Sequence, residues 1–282
     1  MEPIDPRDDD EILEDIITRF DVYYRMMLGA TEDAITSLIV SGAAGVGKSY
    51  TSEWVLSNVA ETAEKESEKQ LTHKERTVPS GFRYTIVQGT ITAIELYCLA
   101  YQYRHRNNVI VLDDADRIFD DEEGLNILKA LLDTGTTRRV SWMSDHSRFK
   151  GDDAPPKQFE YRGSMVFLTN KDFQRVIDGT RSRKNAEHMS ALMSRSIYLD
   201  LMMHTRRQIT LWVHHIVTNN LILQKIGCTA EQEKEAVDWL VDNMEDLREI
   251  SIRTALKVGR FMKMDPENWE TDAKVTLLKG ET

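Results

Sequence analysis

The sequence predicts an α/β fold: a five-stranded parallel sheet layered with helices, followed by a small cluster made only of helices. Three observations predict it. Short apolar runs recur at 36–42, 82–89, 108–116, 164–170 and 196–201, and helical stretches fall between them. Strands alternating with helices are the pattern of a parallel sheet with helical crossovers. The run "TSLIVSG" is continuously apolar before its glycine, as a strand buried on both faces must be. Beyond about residue 204 the strand signal stops and helical periodicity continues over 204–225, 229–245 and 250–263.

Each element follows from its own residues. In "DDEILEDIITRFDVYYRMML" (9–28), Ile12, Leu13, Ile16, Ile17, Phe20, Tyr23, Tyr24 and Met27 recur at spacings of three and four, so an amphipathic helix fills the N-terminal segment 1–30. The strand 36–42 leads into a glycine-rich turn and a helix over 48–66, whose later part "ETAEKESEKQ" reads as an exposed charged face. A loop over 67–81 precedes the strand 82–89. A helix over 92–106, the acid-tipped strand 108–116 and a helix over 122–135 closed by Gly135 follow. Residues 138–163 carry two alternating arms around a Gly/Asp/Pro-rich tip, the pattern of a β-hairpin. Thr229 is placed as a helix N-cap. The expected division is an α/β domain over 31–202 and a helical domain with a tail over 203–282.

Composition narrows the function. The 282 residues are 41% hydrophobic, enough for a real core. The two cysteines, Cys98 and Cys228, have no partner at metal-ligand spacing, which points to a reduced, cytoplasmic protein without disulfides. No apolar run is long enough to span a membrane, and the acidic N-terminus lacks a signal-peptide pattern. A net charge of −11 argues against a protein that coats nucleic acid. Residues 138–195 nonetheless hold 12 Lys/Arg against 7 Asp/Glu, a local basic excess on an acidic chain. Adjacent His214 and His215 face different sides of a helix and do not suggest a shared metal.

The chemistry concentrates in "SGAAGVGKSYT" (41–51), which holds Gly42, Ala43, Ala44, Gly45, Val46, Gly47, Lys48, Ser49 and Tyr50. The motif G-x4-G-K-S follows a strand and opens a helix, the setting a phosphate cradle requires. Glycines let the backbone approach phosphate oxygens, and the helix N-terminus adds positive potential. Lys48 can reach the outer phosphates of ATP, and the Ser49 hydroxyl can ligate Mg²⁺. In "VIVLDDAD" (109–116), Asp113 ends a strand where one carboxylate can hold hydrated Mg²⁺. Asp114 is placed to polarise an attacking water, while Asp116 and Asp120 read as helix caps. Asn170, at the end of "SMVFLTN", can hydrogen-bond both a water and the γ-phosphate.

Phosphate loop, acidic strand, Asn-tipped strand and helical cluster, in that order over about 30–265, resemble the AAA+ ATPase family of P-loop NTPases. The resemblance implies that Gly42–Ser49 is Walker A, Val109–Asp114 is Walker B, and Asn170 is sensor 1. It implies a helical lid after the sheet. It implies an arginine finger at Arg195, in "LMSRSIYLDL", with Arg175, Arg181 and Arg183 as neighbouring candidates, and a sensor 2 at Arg253, in "ISIRTALK". A finger acting on a neighbour's nucleotide implies a homo-oligomer, expected as a hexameric ring. An arginine finger is worth about 10³–10⁵ in rate. Where the family usually has Glu after the Walker B Asp, this chain has Asp114, one methylene shorter, which implies slower turnover.

The expected task is DNA replication or remodelling, as in small phage or mobile-element ATPases of the helicase, helicase-loader or initiator type acting with partner replication proteins. The place where unfoldases of the family carry an aromatic pore loop reads "VQGTITAIE" (87–95), with no aromatic. The hairpin before Asn170 carries Arg138, Arg139, Trp142, Lys150 and Lys157 as candidate DNA contacts, basic groups for phosphates with aromatics for base stacking. The competing reading pairs Trp142 with Tyr161 in cross-strand packing. A protein remodeller and an ATP-switched scaffold with slow hydrolysis are the alternatives.

Overall fold

The computed structural model describes residues 5–69, 78–79, 81–134, 137–144, 146, 149, 154–179, 183–201 and 203–280, with the backbone alone at 183–185. The elements through the sheet are α1 (Asp9–Thr31), β1 (Ser37–Ser41), α2 (Lys48–Glu68), β2 (Arg83–Gln88), α3 (Ala93–Gln102), β3 (Asn108–Asp113), a 3-10 turn (Asp116–Asp120), α4 (Glu122–Leu131), β4 (Arg138–Ser141), β5 (Gln158–Tyr161), β6 (Ser164–Thr169), α5 (Phe173–Gly179), α6 (Arg183–Met193) and β7 (Ile197–Asp200). Then come α7 (Arg206–Asn219), α8 (Ile222–Lys225), α9 (Ala230–Asp242), α10 (Ile252–Met264) and α11 (Trp269–Leu277).

Five strands form one sheet in the order β2-β3-β6-β1-β7, and every pairing in it is parallel. The continuous apolar runs explain the interior places: β1, β3 and β6 are buried at every residue. The chain leaves β1 and returns in β2 at the far edge, so the strand order reverses beside β1. In open parallel sheets that reversal opens a crevice beyond the strand C-termini, where ligands bind. β4 and β5 pair antiparallel as the expected hairpin arms, apart from the main sheet.

The chain divides into two units. Phe20–Ser41 and Lys48–Asp200 form a sheet unit; Met1–Arg19, Gly42–Gly47 and Leu201–Thr282 form a helical unit. The sheet unit buries Leu96, Tyr97, Ile110, Leu128, Phe167 and Phe173 in one core. The helical unit buries Val213, Val217, Leu240, Ala255, Val258 and Met262 in another. The helical unit thus contains the start of α1 and the glycine-rich loop as well as the C-terminal helices.

The helices differ from expectation in four places. The stretch 204–225 is two helices, because Leu221 adopts a left-handed φ of 51° after the poor helix formers Asn219 and Asn220. The segment expected as a tail contains α11, which buries Trp269, Ala273 and Leu277 at four-residue spacing. Glu66, in the stretch read as an exposed face, is buried and accepts a hydrogen bond from the Val78 amide. Thr229 does cap α9, within a capping box completed by Gln232. The helix expected to run to Gly135 ends at Leu131 with Leu132 as its C-cap, and Gly135 lies outside the described residues.

Candidate functional site

In the sheet unit, α2 begins at Lys48, whose side chain is 6% exposed. A buried ammonium needs acceptors. Lys48 Nζ donates to Asn170 Oδ1 at 2.8 Å, and Asn170 Nδ2 donates to Asp114 Oδ1 at 2.9 Å. Asn170 follows β6 and Asp114 follows β3, which are adjacent parallel strands, so the two side chains meet at the same C-terminal edge. The backbone sharpens the turn there. Asp114 has a φ of 52°, a conformation that Asp tolerates better than most residues, and its amide donates to Leu168 O at 3.1 Å. Asp114 and Asn170 are exposed. Asp113, at the end of β3, is 6% exposed, and Gln88 Nε2 lies 3.4 Å from its Oδ2. Asp116 turns away from this group: it accepts from Thr169 Oγ1 at 2.8 Å and lies 3.8 Å from Lys171 Nζ.

The first turn of α2 is tied to α1. The fully buried Tyr23 hydroxyl donates to Lys48 O at 2.9 Å and shares a short bond with Ser52 Oγ. Burial pushes the Tyr23 phenol up, partly offset by the Ser52 bond, and the Asp113 charge adds to the rise. Tyr23 therefore remains a neutral donor. Ser49 is half-buried, and no hydrogen bond to its hydroxyl is found among the described residues. Tyr50 is 70% exposed.

In the helical unit, the loop Gly42–Gly47 meets α7 and α10. Ile252 N donates to Gly45 O at 3.0 Å, and Trp212 Nε1 donates to Val46 O at 2.8 Å. Gly45 has a φ of 69°, and a Cβ there would sit 2.6 Å from Ser251 Cβ, so only glycine fits. Ser251 caps α10, and Arg253 is exposed in that helix's first turn, its side chain with no hydrogen bond or ion pair among the described residues. Trp212 stacks on His215, with centroids 5.8 Å apart. His214 is exposed and half-buried His215 is pushed down by desolvation and then by His214.

Arg195 lies between α6 and β7, half-buried, and donates to Ala191 O at 2.9 Å. Arg175 is exposed on α5. Arg181 and the Arg183 side chain lie outside the described residues.

The hairpin corrects the expected DNA contacts. Arg138 is 2% exposed, not a surface group. It donates to the carbonyls of Thr36, Leu131 and Gly163, and lies over the Tyr161 ring at 4.8 Å. Burial holds its guanidinium below the usual arginine range. Trp142 is half-buried against Tyr97 and Phe149, so it packs the hairpin rather than presenting a ring to a base. Tyr161 stands opposite Arg138 and not opposite Trp142, whose amide bonds Lys157 O at 2.8 Å. Of the expected contacts, Arg139 and Lys157 are exposed. Lys150 lies outside the described residues.

Among the described residues no helix is long and apolar enough to cross a membrane, and no group of three or more His, Cys, Asp or Glu is placed to hold a metal. No family model matches the chain. It is 36% identical over 264 residues to the "Uncharacterized 36.7 kDa protein in nrdC-mobD intergenic region" of Enterobacteria phage T4, across 92% of this chain and 75% of that protein. The chain belongs to the family of that phage protein. The alignment spans nearly the whole chain and so covers residues of both units.

Proposed function

We propose that this member of the T4 protein's family is a Mg²⁺-dependent ATP hydrolase of the AAA+ type. The observation that carries the reading is the bonded series Lys48–Asn170–Asp114. It joins residues 122 and 56 positions apart in sequence, a cation for phosphate, an amide for phosphate and water, and a carboxylate for water. The strand order and the position of β1 beside the reversal support the same reading.

The residues suit the groups they would hold. Gly42–Gly47 offers glycines at positive φ, Lys48 offers a charged donor, Ser49 a hydroxyl with no partner among the described residues, and Asp113 a nearly buried carboxylate. Bound Mg²⁺ would neutralise charge on the phosphates, with Ser49 and Asp113 as its protein ligands. Lys48 would exchange Asn170 for a phosphate oxygen, since charge-assisted bonds to phosphate are the stronger ones. Asn170 would then be free to orient a water bonded to Asp114. As the water oxygen bonds to the γ-phosphorus and the bond to the leaving oxygen breaks, Asp114 would accept the water proton. Arg253 would act as sensor 2 from α10, the helix lid contributing it. Arg195 would serve a neighbouring copy's nucleotide in a homo-oligomeric ring, proposed as a hexamer.

The proposed task is work on DNA in replication or remodelling, with Arg139 and Lys157 as its contacts. The shorter Asp114 favours a second reading, an ATP-switched scaffold that hydrolyses slowly. Steady-state hydrolysis with Mg²⁺, alone and with single-stranded DNA, duplex DNA or RNA, tests these together. DNA-stimulated turnover lost in Lys48→Ala and Arg195→Ala is the expected result. Turnover indifferent to every nucleic acid overturns the DNA task in favour of a protein substrate, and tight binding with almost no turnover favours the switch.

A further inference from the structure

We infer that Trp212 and the backbone amide of Ile252 are positioning groups that aim two amides of the glycine-rich loop at phosphate; the inference rests on reading that loop as a phosphate cradle. A trans peptide is planar, so a residue's carbonyl oxygen and the next residue's N–H point in opposite directions. Gly45 O is held by Ile252 N at 3.0 Å, which turns the Val46 N–H away from α10. Val46 O is held by Trp212 Nε1 at 2.8 Å, which turns the Gly47 N–H away from α7. Two consecutive amides are thereby pinned by their carbonyl ends. Among the described residues neither amide has a hydrogen-bond acceptor. Gly45 and Gly47 have φ of 69° and 107° on either side of Val46, the kind of turn in which successive N–H groups form a concave anion site.

The pins are themselves held. Trp212 is 4% and Val46 1% exposed, so their bond is made out of water, where an unmade bond is costly. Trp212 sits on a helix fixed by the Thr205–Gln208 capping box, and Gln208 Nε2 also donates to Asp5 Oδ2 at 3.1 Å. The Ile252 amide is fixed by the Ser251 cap and by the close approach at Gly45. The loop therefore reaches its phosphate-ready shape before a ligand arrives, and the binding cost of ordering it is already met.

Two substitutions separate this role from packing. Trp212→Phe keeps a ring against His215 and removes the donor. Ile252→Pro removes the other donor at the first helical position, where proline is favoured, and Ser251 already has the extended φ of −163° and ψ of 164° that a following proline demands. Isothermal titration of the full chain with Mg²⁺ plus ATP, and with Mg²⁺ plus inorganic tripolyphosphate, is the experiment, with Lys48→Ala beside it. Each variant is expected to weaken both ligands by about fivefold, the loss of one net hydrogen bond. The loss should be equal for the two ligands, because the pinned amides serve the phosphates and not the base. A lowered melting temperature with both dissociation constants unchanged in the folded variants overturns the inference and leaves the cradle reading intact. Wild-type protein that binds neither ligand, or binds both only as well as Lys48→Ala does, overturns the cradle reading and the inference with it. If Trp212→Phe does not fold, Ile252→Pro decides alone.

Discussion

The C-terminal edge of the sheet and the β4–β5 hairpin both carry charged residues that the sequence marks as functional, yet the two regions use charge in opposite ways. At the sheet edge, Lys48, Asn170 and Asp114 converge on one another, and Asp114 and Asn170 stay exposed. In the hairpin, Arg138 is drawn inside and its guanidinium holds three backbone carbonyls, while its neighbour Arg139 faces water. The difference is one of parity and strand end. Side chains alternate across a strand, so Arg138 falls on the same face as Val140, while a residue just past a strand's end escapes that constraint. Just past a strand's C-terminal end, Asp114 stays exposed; a charge within the strand belongs to whichever face its parity selects.

That comparison can be broken first at Arg138. Arg138→Ala leaves three carbonyls without their donor, and chemical denaturation should show a loss of about 4 kcal/mol. The adjacent Arg139→Ala should move stability by less than about 0.5 kcal/mol. Equal effects at the two positions would break the parity argument. At the sheet edge the largest effect is expected from Lys48→Ala, which should lower ATP turnover by about 10²-fold or more, read as steady-state phosphate release, with the melting temperature little changed. Tyr23→Phe removes the donor to Lys48 O and should cost about 1 kcal/mol of stability in the same denaturation assay. The smallest effect is expected on the outward face of the hairpin. Arg139→Ala with Lys157→Ala should reduce the slope of log affinity for single-stranded DNA against log salt by about 1.4, and an unchanged slope would remove the hairpin from the proposed DNA contacts.

Much of the sheet was legible because its signals are local. Continuous apolar runs such as "SLIV" and "VIVL" must be buried on both faces, and each of the five expected runs contains a strand. The placement of the candidate residues was legible for a related reason: Lys48, Asp113, Asp114 and Asn170 all sit at strand ends or helix starts, where the fold dictates their edge. The rest was hidden because it is set by partners distant in sequence. Nothing near Arg138 announces that Thr36 and Gly163 will accept from it, although its alternation with Val140 signals that it faces inward. Trp212 carries no local sign of its partner, a carbonyl 166 residues away. The helix α11 is hard to read although Trp269, Ala273 and Leu277 keep a four-residue period, because the polar residues between them weaken the local signal. Leu221 gives no sequence warning of its left-handed backbone beyond the two asparagines before it.

Lys48, Asn170 and Asp114 are proposed to form a hydrolytic centre and not merely a polar surface cluster. Asn170→Ala tests it most directly, because Asn170 is bonded to both of the others and lies outside the glycine-rich motif. Mg²⁺-dependent ATP turnover and ATP affinity would be measured side by side in the wild-type chain and in this variant. Wild-type turnover is expected to fall by about 10²-fold in Asn170→Ala while ATP still binds. Turnover that is unchanged in the variant, or a wild-type chain that neither binds nor hydrolyses ATP, would contradict it.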